Sequence, residues 1–143
     1  MKTVTFCGHR IIESQDREII TQKLFKELEN LIKQGATEFL LGGYGSFDML
    51  CAVVIDDLKI KYSDIKSILV IPYLYKEYDT RLYDCTEYPP LEKTPLRFAI
   101  SKRNEYMVNK SDVVISYVKH SWGGAATTLE YAQRKRKQII SVI

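Results

Sequence analysis

Histidine, tryptophan and cysteine are scarce in this chain, numbering two, one and three among 143 residues. Three cysteines without short-range pairing exclude a disulfide framework, and no Cys/His spacing matches a zinc site. No apolar run reaches the length of a membrane span, and "MKTVTFCGHR" has too little apolar content for a signal peptide. A soluble protein of the reduced cytoplasm is expected, with Cys7 and Cys51 buried as small apolar groups. No G-x-G-x-x-G follows the first apolar stretch and no G-K-[ST] occurs. Dinucleotide binding in the Rossmann manner and ATP hydrolysis are therefore disfavoured, and neither a metal nor a resident cofactor is expected. Charge of one sign is also lacking: 21 basic and 18 acidic residues leave a net +3. A dedicated nucleic-acid binder clusters its charge more densely, so nucleic acid is an unlikely partner on this ground. The run "RKRK" at 134–137 reads as a solvated helix end matched to the helix dipole.

What is present is alternation. A chain of this length forms one domain, 1–143, burying roughly 68–70% of its unfolded surface. "KTVTFCG" reads as a strand at about 2–7. A helix over 15–34 follows, capped by Ser14, with Ile20, Leu24, Leu28, Leu31 and Ile32 on one face and Gly35 as its stop. "TEFLLGG" is a short buried strand and "FDMLCAVVIDDLK" a well-covered helix. "KSILVIPY" is an unbroken apolar strand of the parallel-sheet kind. Residues 73–94 show no period and hold five tyrosines, suited to a dimer contact or to stacking on a base. A helix at 95–109, the strand "DVVISYV", a helix to about 135 and the strand "QIISVI" complete the chain. The expected architecture is a single Rossmann-like, doubly wound α/β domain with about five mainly parallel strands and helices on both faces.

In such sheets ligands bind beyond the carboxyl ends of the strands. Three strand ends carry small or polar residues: "CGHR", "GGYGSFD" and "HSWGGAATTLE". Gly42, Gly43 and Gly45 lead one helix, and Gly123 and Gly124 lead another. Such turns present free N–H groups and the positive dipole end to an anion, although a glycine pair is also an ordinary tight turn. Ser46, Thr127 and Thr128 can add hydroxyl donors. After Gly8, Arg10 is a candidate phosphate ligand and His9 a candidate for polar contact or proton transfer, or a hydrogen-bonded turn histidine. Asp48 can bond ribose hydroxyls or cap its helix, and Trp122 can stack on a base.

Taken in order, "TFCGHR", "GGYGSFD", "RNEYMVNKSDVVIS" and "GGAATTLEYA" resemble the SLOG superfamily, which joins the Smf/DprA proteins to the Lonely Guy phosphoribohydrolases. Within it, the Gly-His-Arg turn resembles the small YpsA-like proteins. The Lonely Guy pattern is R-K-x-x-M, an Asp opening a strand, then P-G-G-x-G-T-x-x-E. Arg103 and Met107, then Asp112, then Gly123, Gly124, Thr127 and Glu130 match it, while Asn104, Trp122 and Ala126 depart from it. The paired glycine loops, together with the resemblance, lead to the expectation of a nucleotide or nucleotide-derived phosphorylated ligand held between the two loops, as sensor or carrier, in a homodimer. The resemblance also implies an alternative, cleavage of a nucleoside 5′-monophosphate's N-glycosidic bond by Arg103 and Glu130. From the Smf/DprA side comes single-stranded DNA binding. Taken by themselves, Glu130 is equally an early-helix acid and Arg103 a solvated cation.

Overall fold

The structure, a computed structural model, describes residues 2–143. Its elements run β1 (Lys2–Gly8), α1 (Arg17–Lys33), β2 (Ala36–Leu41), α2 (Ser46–Lys61), β3 (Lys66–Val70), β4 (Cys85–Glu87), a 3₁₀ turn (Leu96–Phe98), α3 (Ala99–Lys110), β5 (Val113–Tyr117), α4 (Gly124–Arg134) and β6 (Gln138–Ser141). All six strands join one sheet in the order β4-β3-β2-β1-β5-β6, every neighbouring pair parallel.

The central strands β2, β3 and β5 are buried on both faces, which is why they read as continuous apolar runs. Val4, Phe6, Phe39, Leu41, Val113 and Ile115 face α1 and α2, meeting Leu24, Leu28, Phe47 and Ile55 in the larger core. The alternate residues face the other way: Cys7 and Val114 meet Val108 and Ala132, while Leu40 and Val70 meet Met107. Period-two alternation on the strands thus serves two helical layers.

Three expectations need correction. The described residues form six strands, the additional one being Cys85–Glu87 inside the tyrosine-rich segment. It is three residues long with two of them exposed, so it carries no apolar run to announce it. It is held at the sheet edge by Lys59, whose ammonium bridges Asp84 at 3.0 Å and the Ser67 hydroxyl at 2.8 Å. The first helix begins at Arg17, and Ser14 does not cap it; Asp16 occupies the cap position but turns its carboxylate elsewhere. The helix expected at 95–109 opens with a 3₁₀ turn and runs on to Lys110. At the other end of α1, Gly35 has φ +102°, the left-handed stop that glycine supplies. Cys7 and Cys51 are buried, and all three cysteines are free. Among the described residues no helix is long and apolar enough to cross a membrane.

Candidate functional site

The strand order turns back at β1. The chain moves from β1 outward to β2, β3 and β4, then returns to place β5 on the other side of β1. Helices following β1 and β5 leave on opposite faces, while the two strands stay paired to Gly8 and Tyr117 at their carboxyl ends. Sheets of this kind hold ligands in the crevice at such a turning point. Here it is a cavity of about 530 Å³, lined by the end of β1 (Phe6 to Arg10), Tyr117, Asp48, Arg103 and the Trp122–Ala125 turn, among others.

One wall is the start of α4. Gly123 has φ +93°, which swings the chain into the helix, and no side chain caps the helix. The first intrahelical acceptor, the Gly123 carbonyl, takes the N–H of Thr127 at 3.0 Å. The amides of Gly124, Ala125 and Ala126 precede it, with the positive end of the helix dipole behind them. A Cβ built on either Gly123 or Gly124 would meet no atom within 4 Å. These glycines border open space rather than a packed neighbour.

A second wall is aromatic. His9 stacks on His120 with ring centroids 3.9 Å apart, and His120 stacks on Trp122 at 3.8 Å, both pairs within 15° of parallel. The outer ring, Trp122, is 69% exposed. The stack is held by two bonds to backbone. His9 Nε2 accepts the N–H of Lys119 at 2.7 Å, and His120 Nδ1 lies 2.9 Å from the Trp122 carbonyl, to which it donates. Burial, with His120 and Lys119 adding to it, lowers the His9 pKa below its ordinary value. Below the stack, the Tyr117 hydroxyl donates to Asp16 at 3.0 Å. Lys119 Nζ reaches Asp16 at 2.9 Å and Glu13 at 3.0 Å, so the loop after β1 is tied to the end of β5. Asp16 leaves the α1 cap because Lys119 and the Tyr117 hydroxyl bind its carboxylate, and the same bonds hold it below the usual carboxylate range.

The floor is polar. Arg103, only 4% exposed, donates through Nη1 to the carbonyls of Gly42 at 3.1 Å and Val70 at 2.8 Å, and through Nε to Asn104 at 2.9 Å. It closes the carboxyl ends of β2 and β3, and a Cβ at Gly42 would press on the guanidinium, 3.0 Å from its carbon. Asp48, in the first turn of α2, accepts the Tyr44 N–H at 3.4 Å. Burial pushes its carboxyl up to about 6, against the opposing pull of Arg103 and nearby backbone amides. Arg10 stands at the mouth, its guanidinium 4.9 Å from the Tyr44 ring centroid.

The cavity therefore collects Gly8, His9, Arg10, Asp48, Arg103, Trp122, Gly123, Gly124 and Thr128 from the residues that the sequence singles out. It does not collect the rest. The Gly45–Ser46 turn faces an adjoining open depression that shares Arg10, Ile11 and Tyr44 with the cavity, and the Ser46 N–H is taken by the Arg10 carbonyl at 2.7 Å. Of the α2 start, Tyr44 and Asp48 thus reach the cavity that the α4 start borders, while the Gly45–Ser46 turn does not. Gly45 is needed for packing, with φ +94° and a Cβ position 2.8 Å from the Arg10 Cα. Gly8 is likewise needed because a Cβ would overlap the Phe47 ring. Gly43 lines a neighbouring apolar hollow of about 470 Å³ beneath Tyr78 and Tyr83. Thr127 and Thr128 donate their hydroxyls to the carbonyls of Gly123 and Gly124, so neither is a free donor. Glu130 is exposed and outside the cavity lining, two residues beyond Thr128, which turns it away from Arg103. Sequence reasoning missed His120, Tyr117 and Tyr44. The available sign was that both histidines follow strands, but their adjacency depends on strand order.

A model of the YspA SLOG family matches residues 10–89. A UPF0398 protein of Halalkalibacterium halodurans is 27% identical over 158 residues, covering 96% of this chain and 84% of that protein. The DNA processing protein A of Streptococcus pneumoniae has a similar fold, with a TM-score of 0.69 at 21% identity over 99% of this chain and 50% of that one. This chain thus spans half of its length. The Helicobacter pylori protein, described for its single-stranded DNA binding mode, gives 0.66 at 20% identity over 98% and 64%. The molybdenum cofactor carrier protein of Chlamydomonas reinhardtii gives 0.64 at 13% identity over 98% and 75%. At these identities the structural likenesses establish the fold alone. The family match spans more than half of the chain, and its first residue is the arginine at the cavity mouth: the protein belongs to the YspA SLOG family.

Proposed function

We propose that this domain binds a nucleotide or nucleotide-derived phosphorylated ligand, as a sensor or carrier in the cytoplasm. The observation that carries it is the cavity at the β1/β5 switch point, with an uncapped helix start on one side and an aromatic stack on the other. Its volume of about 530 Å³ falls within the rough 300–1,000 Å³ range of small-molecule sites. The Gly124–Ala126 amides suit a phosphate, Arg10 adds an exposed cation at the mouth, and the free face of Trp122 suits a base. A protein of similar fold that is named as a cofactor carrier is in keeping with this use of the fold.

The N-glycosidase reading has less support. Arg103 gives its Nη1 and Nε to protein acceptors, and Glu130 lies on the outer surface, so the expected pair is not assembled around the cavity. Single-stranded DNA binding, unlikely on charge alone, is favoured by one observation, the shared fold of a protein that binds it. Homodimerisation is a further part of the reading, because Leu74, Tyr75, Leu96 and Phe98 are exposed near one another, Tyr73 bonding the Leu96 carbonyl. Sedimentation tests it.

Calorimetric titration with AMP, ADP-ribose, NAD, cyclic nucleotides and a short single-stranded oligonucleotide tests the proposed activity. Saturable heat from a nucleotide is expected. Folded protein that gives none overturns it, and heat from the oligonucleotide alone, weakening steeply with salt, favours the DNA reading instead.

A further inference from the structure

The hollow beneath Tyr78 and Tyr83 is a second ligand-sized space of about 470 Å³, and it shares no lining residue with the cavity at the β1/β5 switch point. Its body is apolar, built from Leu69 of β3, Met49 of α2 and Leu82 of the segment before β4, with the two tyrosines. Hydrogen bonds fix the wall. The Leu82 carbonyl accepts the Ser67 hydroxyl at 3.2 Å, and the Tyr83 N–H donates to the Thr80 carbonyl at 3.0 Å. The Tyr78 hydroxyl donates to the Tyr73 carbonyl at 3.3 Å. Apolar and aromatic walls with a few placed polar groups hold small molecules in spaces of roughly 300–1,000 Å³.

The placed polar group is the Tyr83 hydroxyl. It has no hydrogen-bond partner among the described residues, yet it is not sealed from solvent. It sits beside Gly43, 3.6 Å from where a Cβ on that glycine would lie. Burial, with the Asp48 and Asp79 carboxylates adding to it, pushes the phenol up to about 12, so it is neutral near pH 7. A neutral phenol accepts as well as donates. Asp48, at about 6, and Asp79, held at about 2 by Arg81, are both ionised there. Arg81 grips Asp79 from the rim, through Nε at 2.9 Å and Nη2 at 2.6 Å. Its side chain is 88% exposed, where water and salt screen its charge. The potential at the phenol is therefore negative, the reverse of that at the α4 start.

We propose that this hollow is a second binding site, for a small uncharged or cationic aromatic amine whose N–H donates to the Tyr83 oxygen. The ligand ring packs among Leu69, Met49 and Leu82, where the apolar area it covers is withdrawn from water. Tyrosine rings present electron-rich faces, which attract a cation and repel an anion. The two carboxylates act in the same sense, so a phosphorylated or carboxylated compound is rejected here. The inference is independent of the nucleotide reading, because the two spaces have separate walls.

The test follows amide chemical shifts by NMR at pH 7.5 as tryptamine, indole or indole-3-acetate is added to the native chain, Tyr83→Phe and Leu82→Trp. The probes share one ring system and carry a positive charge, no charge and a negative charge. Tryptamine and indole are expected to move the Gly43, Leu82 and Tyr83 amides saturably and to leave those of Gly124–Ala126 still. Indole-3-acetate is expected to bind about tenfold more weakly than tryptamine. Tyr83→Phe removes the acceptor and is expected to weaken tryptamine about fivefold. Leu82→Trp fills the hollow and is expected to abolish binding, with Tyr83→Phe deciding alone should the tryptophan variant not fold. Shifts confined to the α4 start, an anion bound as tightly as the amine, affinity unchanged in Tyr83→Phe, or no saturable shift from any probe overturns the inference. Each of those results leaves the nucleotide reading standing.

Discussion

His9 Nε2 accepts the backbone N–H of Lys119 at 2.7 Å, joining the carboxyl ends of the two strands between which the cavity opens. A backbone N–H can only donate, so this nitrogen carries no proton. Protonating it breaks the bond and sets a cation beside Lys119 and against His120. The His9 pKa is lowered accordingly, while an unfolded histidine titrates near its ordinary value of about 6.5. The unfolded chain then holds more protons in that range, so the His9 contribution to stability is present above about 6.5 and is lost as the pH falls through its lowered folded value. Urea unfolding between pH 7.5 and 5 on the native chain and His9→Phe checks this. The native chain is expected to lose more stability on acidification, and parallel pH profiles would dismiss it.

Asp48 has the opposite sign. Its carboxyl is raised to about 6, so its contribution favours the folded state below the unfolded value near 3.9 and is lost as the pH rises through 6. Asp48→Asn is therefore expected to stabilise the ligand-free protein at pH 7.5, by up to about 3 kcal/mol, with the gain vanishing toward pH 4. Denaturation midpoints at the two pH values measure it.

Arg103 is a structural clasp on this geometry. Replacing it with methionine leaves the Gly42 and Val70 carbonyls without their donor, each costing about 1–3 kcal/mol. A large fall in melting temperature is expected for Arg103→Met, with Arg103→Lys intermediate because an ammonium lacks the planar fork. Native-like melting of the methionine variant would contradict that role.

The glycines divide by what surrounds them. Gly8→Ala drives a methyl into the Phe47 ring and Gly45→Ala strains a positive φ, so both are expected to unfold the protein or lower its midpoint sharply. Gly124→Ala meets open space at an ordinary helical φ and is expected to fold as well or better, gaining about 0.4–1 kcal/mol. The same methyl projects where the ligand phosphate would lie, so nucleotide affinity is expected to drop about tenfold. Equal affinity in Gly124→Ala would remove the phosphate from the α4 start.

Glu130 supplies the control. It is exposed and makes no contact with the cavity. Glu130→Gln is expected to change stability by less than about 0.5 kcal/mol and to leave nucleotide binding untouched. A lost activity in that variant would revive the hydrolase.

Local pattern made most of the fold legible. The Ile20, Leu24, Leu28, Leu31 stripe marks α1, and the apolar runs at 36–41, 66–70 and 113–117 mark central parallel strands. Short and exposed, β4 offered no such pattern, since its place is fixed by Lys59, Ser67 and Asp84. Glycine pairs marked both helix starts correctly, but nothing local tells a glycine that clears space for a ligand from one that clears space for Phe47 or Arg10. The direction of Glu130 and the stack of His9, His120 and Trp122 depend on helical phase and strand order, which only the assembled sheet supplies.

Amide chemical shifts followed by NMR, while AMP or ADP-ribose is added, test the central claim most directly. The account predicts saturable movement of the Gly124, Ala125 and Ala126 amides and of the single indole N–H, Trp122, with the Glu130 amide shifting least along α4. Saturation accompanied by shifts only around Gly45 and Ser46, or none at the α4 start, would contradict it.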